Sequence, residues 1–165
     1  MRTLILTRHA EANWGQAGMA DFDRPLNAQG LQDAALMSDQ LASSDVNVQK
    51  IMSSTAKRAH STTSYFAKAL GISTEQINYQ KDLYLASPTM LLKKISLCSD
   101  QISQLMVVSH NPGLSELIEI LTHRYMHDLP ACAVMAIRFD LEHWADIVTG
   151  QGEVIYDEYP KKTHR

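Results

Sequence analysis

The sequence from residue 3 to residue 11, Thr-Leu-Ile-Leu-Thr-Arg-His-Ala-Glu, decides the fold because it joins a short apolar run directly to an arginine and a histidine. Such a run, followed at once by polar residues, is typical of an interior β-strand that is buried on both faces. It is too short for the core of a signal peptide or for a membrane span. We therefore expect residues 3–7 to form a strand whose carboxyl end carries Arg8 and His9.

Apolar runs of similar length recur along the chain and alternate with longer segments of helical spacing. That alternation is typical of an α/β layered fold. We predict a three-layer α/β/α sandwich with a mainly parallel central sheet, and a chain of 165 residues suits one domain spanning 1–165. The predicted strands are residues 3–7, 48–53, 76–80, 104–109, 132–139 and 153–157.

Capping residues indicate where the helices begin and end. Asn27 is suited to cap the first helix, and Gly71 suits the left-handed turn that ends the second helix, residues 56–70. Ser87-Pro88 and Asn111-Pro112 each combine a capping residue with a proline in the first turn, which predicts two further helices that extend to about residues 97 and 121. The buried stripe of the first helix is predicted to comprise Leu31, Ala34, Ala35, Met37 and Leu41.

Charge and cysteine content exclude several classes of function. The chain has 15 lysine and arginine residues against 18 aspartate and glutamate residues, and the basic residues form no long block. Nucleic acid is therefore not expected as a partner, because such binding depends on concentrated positive charge. Cys98 and Cys132 form no Cys-x-x-Cys pattern, which predicts neither a disulfide framework nor a thiolate metal site. We expect a cytoplasmic protein with no membrane partner.

Unusual polar residues follow three of the predicted strands. Arg8 and His9 follow the first strand, Arg58 lies in the first turn of the helix after the second, and His110 follows the strand at 104–109. In an open α/β sheet the carboxyl ends of the strands form the ligand-binding crevice, so these four side chains are expected to converge. Arginine presents a planar fork of donors that matches phosphate oxygens. The sequence therefore predicts a site for a phosphoryl group.

Histidine can also carry out the covalent step of phosphoryl transfer. A neutral imidazole is a competent nucleophile near pH 7 and needs no separate base or metal ion. The arginines would neutralise the phosphoryl oxygens during transfer, and this electrostatic contribution dominates the reaction. We therefore expect a metal-independent site with no cofactor.

Four segments of the chain resemble the hallmark segments of the histidine phosphatase superfamily and follow one another in the same order. That superfamily has the phosphoglycerate mutase-like fold. The resemblance covers residues 3 to about 121, and each segment alone would be a weak signal. The segments are Arg8-His9, Arg-Pro-Leu-Asn-Ala-Gln-Gly at 24–30, Ser-Ser-Thr-Ala-Lys-Arg-Ala-His-Ser-Thr at 53–62, and Ser-His-Asn-Pro-Gly at 109–113.

The resemblance implies a role for each of the four candidate residues. His9 would be the residue that is phosphorylated, while Arg8, Arg58 and His110 would hold the phosphoryl oxygens. The short chain and the His-Asn-Pro-Gly turn are most similar to the SixA branch, the small phosphohistidine phosphatases. That likeness implies an open site and, as a partner, a phosphorylated protein such as a histidine phosphotransfer domain.

The chain departs from the superfamily pattern at two points. Ala10 stands where the motif has glycine, which restricts the backbone at that position. Many members place a carboxylic acid after the third strand to protonate the leaving oxygen, and the candidates here are Asp82 and Glu11. A phosphoramidate needs less help, because its nitrogen is readily protonated by solvent. Because the sequence offers only weak candidates for this proton donor, it favours phosphohistidine over a simple phosphoester as the substrate.

Two other functions stay open from the sequence. One is a phosphatase or mutase of the same superfamily that acts on a small phosphoester, with Asp82 as the acid. The other is a non-catalytic module that recognises phosphorylated partners.

Some polar residues near these segments have simpler interpretations. His123 and His127 stand four residues apart near a predicted helix end, where a solvated face is favoured over metal binding. His60 is excluded from the catalytic set. Asp23 and Arg24 are expected to form a local surface ion pair, with Arg24 near the rim of the pocket.

Overall fold

Six strands form one mixed sheet in the computed structural model, which describes residues 1–163. The order across the sheet is β3-β2-β4-β1-β5-β6, with β1 to β4 parallel and β5 antiparallel to both of its neighbours. The predicted, mainly parallel α/β architecture is therefore confirmed. The strands are β1 (Arg2–Arg8), β2 (Lys50–Ser54), β3 (Ile77–Gln80), β4 (Gln104–Ser109), β5 (Val134–Phe139) and β6 (Glu153–Glu158).

The helices cover both faces of this sheet, and the sheet separates two hydrophobic cores. Met37 of α1 and Phe66 of α2 pack on the face that carries Ile5, whereas α3 and α4 pack on the face that carries Leu4 and Leu6. The result is three layers, as predicted. The helices are α1 (Ala28–Ala42), α2 (Lys57–Leu70), α3 (Pro88–Ser96), α4 (Gly113–Thr122) and the short α5 (Pro160–Thr163).

Strand β1 lies in the interior of the sheet, between β4 and β5. Its residues Leu4, Ile5 and Leu6 are fully buried, and Leu6 pairs with Val107 on one side and Met135 on the other. The prediction of a strand buried on both faces is confirmed. The strand ends at Arg8, so its carboxyl end holds the arginine and histidine of the first segment.

Three of the predicted helix boundaries are confirmed by hydrogen bonds or backbone angles. The Asn27 side chain accepts a hydrogen bond from the Gly30 amide, and Ser87 caps α3 in the same way. Gly71 ends α2 with a φ of 68°. The predicted buried stripe of α1 is confirmed at Ala34, Met37 and Leu41. It is wrong at Leu31, which is 43% exposed, and at Ala35, which is only half-buried.

The predicted capping role of Asn111 is wrong. Helix α4 begins after Pro112, and no side chain caps it. The Asn111 amide instead donates to the Leu129 carbonyl and to Asp128, while its oxygen accepts from the Ser115 hydroxyl. Asn111 thus ties the turn after β4 to the loop before β5.

His123 and His127 do not share a helix face. Helix α4 ends at Thr122, His123 has a left-handed backbone with a φ of 56°, and His127 lies in the following loop. Within residues 1–163 no group of three or more His, Cys, Asp or Glu side chains is arranged to hold a metal ion.

No helix in the described part of the chain is both long and apolar enough to cross a membrane. The last two residues of the predicted 1–165 domain lie outside the described residues.

Candidate active site

One pocket at the carboxyl ends of the central strands contains all four of the predicted core residues. The pocket has a volume of about 580 Å³, and Arg8, His9, Arg58 and His110 line it. Arg8 ends β1, His110 follows β4, and Arg58 is the second residue of α2, which follows β2. Because β1, β4 and β2 are neighbouring parallel strands, residues far apart in sequence meet at one edge of the sheet.

The hydrogen bonds of His9 define its tautomer. Its Nδ1 lies 2.8 Å from the Ala10 carbonyl oxygen, which can only accept, so Nδ1 carries the proton. The other nitrogen, Nε2, accepts from the Nε–H of Arg58 at 3.2 Å. Burial, together with the positive charges of Arg58 and Arg8, lowers the pKa of His9 to about 4. His9 is therefore a neutral imidazole with a lone pair on Nε2.

His110 is held in the opposite tautomer beside His9. Its Nδ1 lies 3.5 Å from Nη2 of Arg58, which can only donate, and its Nε2 lies 2.7 Å from the Ser54 hydroxyl. Nε2 thus carries the proton of the neutral ring. Burial, followed by the proximity of His9 and Arg58, lowers the pKa of His110 to about 3. The two imidazole centroids are 5.1 Å apart.

Arg58 is 3% exposed and uses both edges of its guanidinium group. One edge, formed by Nε and Nη2, faces the two histidines. On the other edge, Nη1 donates to the Asp21 backbone carbonyl at 2.7 Å and Nη2 donates to the Asp21 carboxylate at 3.0 Å. Arg58 is therefore fixed between the histidines and Asp21.

Arg8 is held at one end and leaves a donor available. Its Nη1 donates to the Leu129 carbonyl at 2.9 Å and lies 3.8 Å from the Asp128 carboxylate. Its Nε is buried and has no hydrogen-bond partner within the described chain. A buried N–H without an acceptor costs free energy, and an oxygen of a bound anion would satisfy it. This donor fits a phosphoryl group.

Thr62 connects the two halves of the site. Its hydroxyl accepts from the Ala10 amide at 2.9 Å and donates to the Arg58 carbonyl at 2.8 Å. Ala10 is fully buried, and the non-glycine residues with positive φ in residues 1–163 are Leu85, His123 and Cys132. The alanine that replaces the motif glycine therefore occupies a backbone conformation open to any residue.

The two acid candidates lie in different surroundings. Asp82 does not line the pocket and forms an ion pair with Lys94 at 2.8 Å, which lowers the pKa of its carboxyl group. This position gives no support to a role for Asp82 as the proton donor. Glu11 lines the pocket, and its carboxylate accepts a hydrogen bond from the side-chain amide of Asn27 at 3.0 Å.

Asp21 is the acidic residue of the site that the sequence reasoning missed. Its carboxylate accepts hydrogen bonds from the Tyr84 hydroxyl, from Arg24 and from Arg58, and these bonds hold the pKa of Asp21 well below its usual range. Asp21 therefore stays charged and does not act as an acid near neutral pH. The predicted pair between Asp23 and Arg24 is wrong, because the acidic partner of Arg24 is Asp21.

Aromatic and apolar side chains surround the charged floor of the pocket. Trp14 is 94% exposed and Leu85 is 55% exposed, and both line the pocket. The Tyr84 ring packs edge-on against His110, at 5.4 Å between centroids. The sequence patterns assign none of Trp14, Tyr84 and Leu85 to the site. His60 lies outside the pocket and stacks on Tyr79 at 4.4 Å, which agrees with its exclusion.

The chain belongs to the histidine phosphatase superfamily, whose branch 1 sequence model matches residues 4–83. An uncharacterized protein of Mycobacterium leprae is 31% identical over 118 residues, which are 70% of this chain and 70% of that protein. An uncharacterized protein of Mycobacterium tuberculosis is 29% identical over 164 residues, which are 93% and 99% of the two chains. The protein is thus similar over nearly its whole length to a mycobacterial relative.

Within that superfamily the chain is SixA-like. A protein of Nakamurella multipartitia, proposed to be the phosphohistidine phosphatase SixA, has the same fold with a TM-score of 0.83 and 25% identity over 96% of each chain. A protein of Agrobacterium tumefaciens with the same proposed function gives the same TM-score and identity over 96% of this chain and 98% of that one. The predicted family and fold are confirmed. The prediction that the chain is a phosphatase of this superfamily is confirmed with them.

Proposed function

We propose that this phosphatase removes the phosphoryl group from phosphohistidine on another protein, through a covalent phosphohistidine intermediate on His9. The observation that carries the proposal is the tautomer of His9. Its Nδ1 proton is bound to the Ala10 carbonyl, so the lone pair lies on Nε2, beside the donors of Arg58. A nucleophile needs this lone pair, and a phosphoryl group needs these donors.

The proposed reaction has two displacement steps. In the first, Nε2 of His9 attacks phosphorus in line, the substrate's P–N bond breaks, and its electron pair leaves on the substrate imidazole, which takes a proton from solvent. In the second, water attacks the phosphohistidine and releases inorganic phosphate, which returns the lone pair to Nε2. The Nε–H of Arg8 and the edge of Arg58 formed by Nε and Nη2 hold the phosphoryl oxygens in both steps.

His110 supports the same reaction from the side of the phosphoryl group. Its lone pair faces Arg58 and its N–H faces Ser54 in the resting protein. Protonation of His110 when a dianion binds would add one more positive donor. We expect no metal ion in this scheme, since the charged and neutral donors of the chain carry each role.

The acidic residues of the site favour a phosphoramidate over a phosphoester. An alkoxide leaving group needs a proton donor, whereas an imidazole leaving group is readily protonated by solvent. Asp82 lies outside the pocket in an ion pair, and Asp21 is held as a carboxylate. Glu11 is the remaining candidate, and a Glu11→Gln variant that keeps its rate on phosphohistidine would support this choice.

The rim of the pocket favours a protein as the substrate. Trp14 and Leu85 present exposed apolar surface next to the charged floor. Exposed apolar groups beside a recognition site are typical of surfaces that contact another protein. The SixA likeness described above supports the same substrate class, and a phosphorylated histidine phosphotransfer domain is a suitable test substrate.

Trapping of the intermediate tests the proposal. The protein is mixed with a ³²P-phosphohistidine protein in the presence of EDTA and quenched in alkali, which preserves phosphohistidine. We expect label on the wild-type chain and on a His60→Ala control, and none on His9→Ala. Label that persists on His9→Ala would rule out His9 as the nucleophile.

Rates on two substrate classes test the choice of substrate. We expect faster turnover of the phosphohistidine protein than of small phosphoesters such as phosphoserine. A strong preference for the phosphoesters would instead support a small-molecule phosphatase. Tight binding of both substrate classes without release of phosphate would support a non-catalytic module.

A further inference from the structure

We propose that Asp21 is a positioning residue that orients Arg58 toward the phosphoryl site. This inference rests on the proposed function of the pocket, because it assigns a role to a side chain within that site. Asp21 lies in a 3-10 turn, Asp21–Asp23, in the loop between β1 and α1. Neither His9 nor His110 is its hydrogen-bond partner among the described residues, so Asp21 acts through the arginine.

The two edges of the Arg58 guanidinium have different partners. The edge formed by Nε and Nη2 faces the histidines, at 3.2 Å from His9 and 3.5 Å from His110. The edge formed by Nη1 and Nη2 is bound by the backbone oxygen and the carboxylate of Asp21. Asp21 thus holds the edge that points away from the nucleophile and leaves the other edge for phosphoryl oxygens.

Two further side chains, Tyr84 and Arg24, hold Asp21 itself in place. One carboxylate oxygen accepts from the Tyr84 hydroxyl as well as from Arg58, and the other accepts from Arg24 at 3.0 Å. Arg24 in turn donates to the Asn13 carbonyl at 2.6 Å. A carboxylate with donors on both oxygens is rigid, so it can define the direction of a buried guanidinium group.

The second arginine of the pocket is held according to the same design. Arg8 is bound through Nη1 to the Leu129 carbonyl and lies near the Asp128 carboxylate, while its Nε is left without a partner in the described chain. In both arginines a backbone carbonyl and a carboxylate lie against the terminal nitrogens of the guanidinium group. This recurrence supports a positioning role for Asp21 over a chance contact.

A negative charge near a phosphate site has an opposing effect, which makes the inference testable. If Asp21 mainly repelled the phosphoryl group or competed with it for Arg58, its removal would strengthen phosphate binding. Because Asp21 occupies the outer edge of Arg58, we expect the loss of orientation to exceed the gain from removing the charge. A repelling Asp21 therefore predicts tighter phosphate binding when the carboxylate is removed, whereas a positioning Asp21 predicts weaker binding.

The test compares Asp21→Ala and Asp21→Asn with an Asp23→Ala control. Asp23 is exposed in the same turn, and within the described chain the hydrogen-bond partners of the Arg58 guanidinium group are Asp21, His9 and His110. We expect Asp21→Ala to weaken inorganic phosphate binding, measured by calorimetry, and to lower kcat on a phosphohistidine protein, each by about tenfold. Asp21→Asn keeps an acceptor oxygen and is expected to recover most of this loss. Asp23→Ala is expected to match the wild type.

An NMR measurement separates positioning from a general effect on the fold. The Nε–H of Arg58 is hydrogen-bonded to His9, so we expect a resolved, slowly exchanging ¹H–¹⁵N signal in the wild type and its loss in Asp21→Ala. The unfolding midpoint of Asp21→Ala is expected to stay near that of Asp23→Ala. Tighter phosphate binding or an unchanged signal in Asp21→Ala would overturn the inference. If the wild type binds phosphate but hydrolyses no substrate, the proposed function fails, while phosphate binding and this signal still decide the role of Asp21.

Discussion

The two histidines of the pocket are each held in one neutral form by an oxygen on one nitrogen and Arg58 on the other. The oxygen belongs to the Ala10 backbone for His9 and to the Ser54 side chain for His110. Two imidazolium ions 5.1 Å apart and next to two arginines would repel one another, so burial and charge favour the neutral forms. At the scale of single residues, the site is therefore defined by which nitrogen carries the proton.

A pair of neighbouring threonines tests how far this arrangement depends on Thr62. Thr62→Val removes the acceptor of the Ala10 amide, and a buried amide without a partner costs about 1–3 kcal/mol of the free energy of unfolding. We also expect kcat to fall by about tenfold, because the loop that carries His9 loses its tie to α2. Urea unfolding and steady-state kinetics measure the two effects.

Thr63→Val is the matched control for this prediction. Thr63 is equally buried, and its hydroxyl donates to Ser53 at 2.8 Å, away from the loop of His9. We expect Thr63→Val to lose stability while kcat stays within about twofold of the wild type, since no group of the site moves. Equal losses of kcat in both variants would show that Thr62 acts only through overall stability.

The sequence allowed the four core residues to be predicted together, and the structure shows why. These four residues lie at or shortly after the ends of regular strands, and neighbouring parallel strands place their carboxyl ends side by side. Asp21 lies in an irregular loop, where no periodicity relates a position to a direction in space. Its one signal in the sequence is its place three residues before Arg24 of the second segment.

At the scale of elements, the site depends on close contact between the first turn of α1 and the chain that follows β1. The Glu11 carbonyl accepts from the Asn27 amide at 3.0 Å, and the backbone of Gly30 packs directly against Glu11. A side chain at position 30 would overlap that carbonyl. Helix α1 can therefore approach the loop of His9 only where it presents a glycine.

Gly30→Ala tests this contact. Alanine favours a helix over glycine by about 1 kcal/mol, but the overlap with a backbone group costs more, so we expect a net loss of about 1–3 kcal/mol in the free energy of unfolding. We also expect a lower kcat/KM, because the displaced Glu11 is two residues from His9. Urea unfolding and initial rates measure both effects.

Gly71→Ala provides the comparison at the other kind of glycine. Gly71 ends α2 with a left-handed backbone, and a side chain there meets no atom within 4 Å in the described chain. We expect a loss of about 1 kcal/mol from backbone strain and no change in kcat/KM. A Gly30→Ala variant as stable and active as the wild type would show that the loop shifts freely.

The elements themselves could largely be predicted, because strands and helices repeat their apolar residues at fixed intervals. The errors lie where tertiary contacts override a local signal. Asn111 and Pro112 form a standard capping pattern, yet the side chain of Asn111 binds Asp128 and Leu129 from a distant loop. Leu31 fits the spacing of the buried stripe, but it lies at its margin and stays 43% exposed.

At the scale of the whole molecule, the strand order gives the pocket its location between two cores. Strand β1 lies between β4 and β5, and its alternate residues face the two helical layers. His9 and His110 stand at the ends of β1 and β4, where Arg58 of α2 packs against both rings and burial lowers the pKa of each. The same burial that keeps these imidazoles neutral makes global stability depend on pH.

The direction of this pH dependence follows from the lowered pKa values. The pKa of His9 falls from 6.5 to about 4 and that of His110 from 6.5 to about 3, in both cases mainly because of burial. Below pH 6.5 the unfolded chain therefore binds more protons at these residues than the folded chain. The stability they contribute is complete above pH 6.5 and is lost progressively as the pH falls through the folded-state values.

Urea unfolding at pH 7.5 and pH 5 tests this expectation across the whole molecule. We expect each histidine to contribute a loss of about 2 kcal/mol in the free energy of unfolding over this interval, and the two losses are not strictly additive because the rings are close. His9→Gln and His110→Gln should each reduce the loss by about half, whereas a His60→Gln variant, changed at an exposed position, should keep the wild-type value. If both pocket variants lose as much stability as the wild type between the two pH values, the imidazoles are not the groups that couple folding to protons, and the neutral form of the proposed nucleophile, His9, would need another origin.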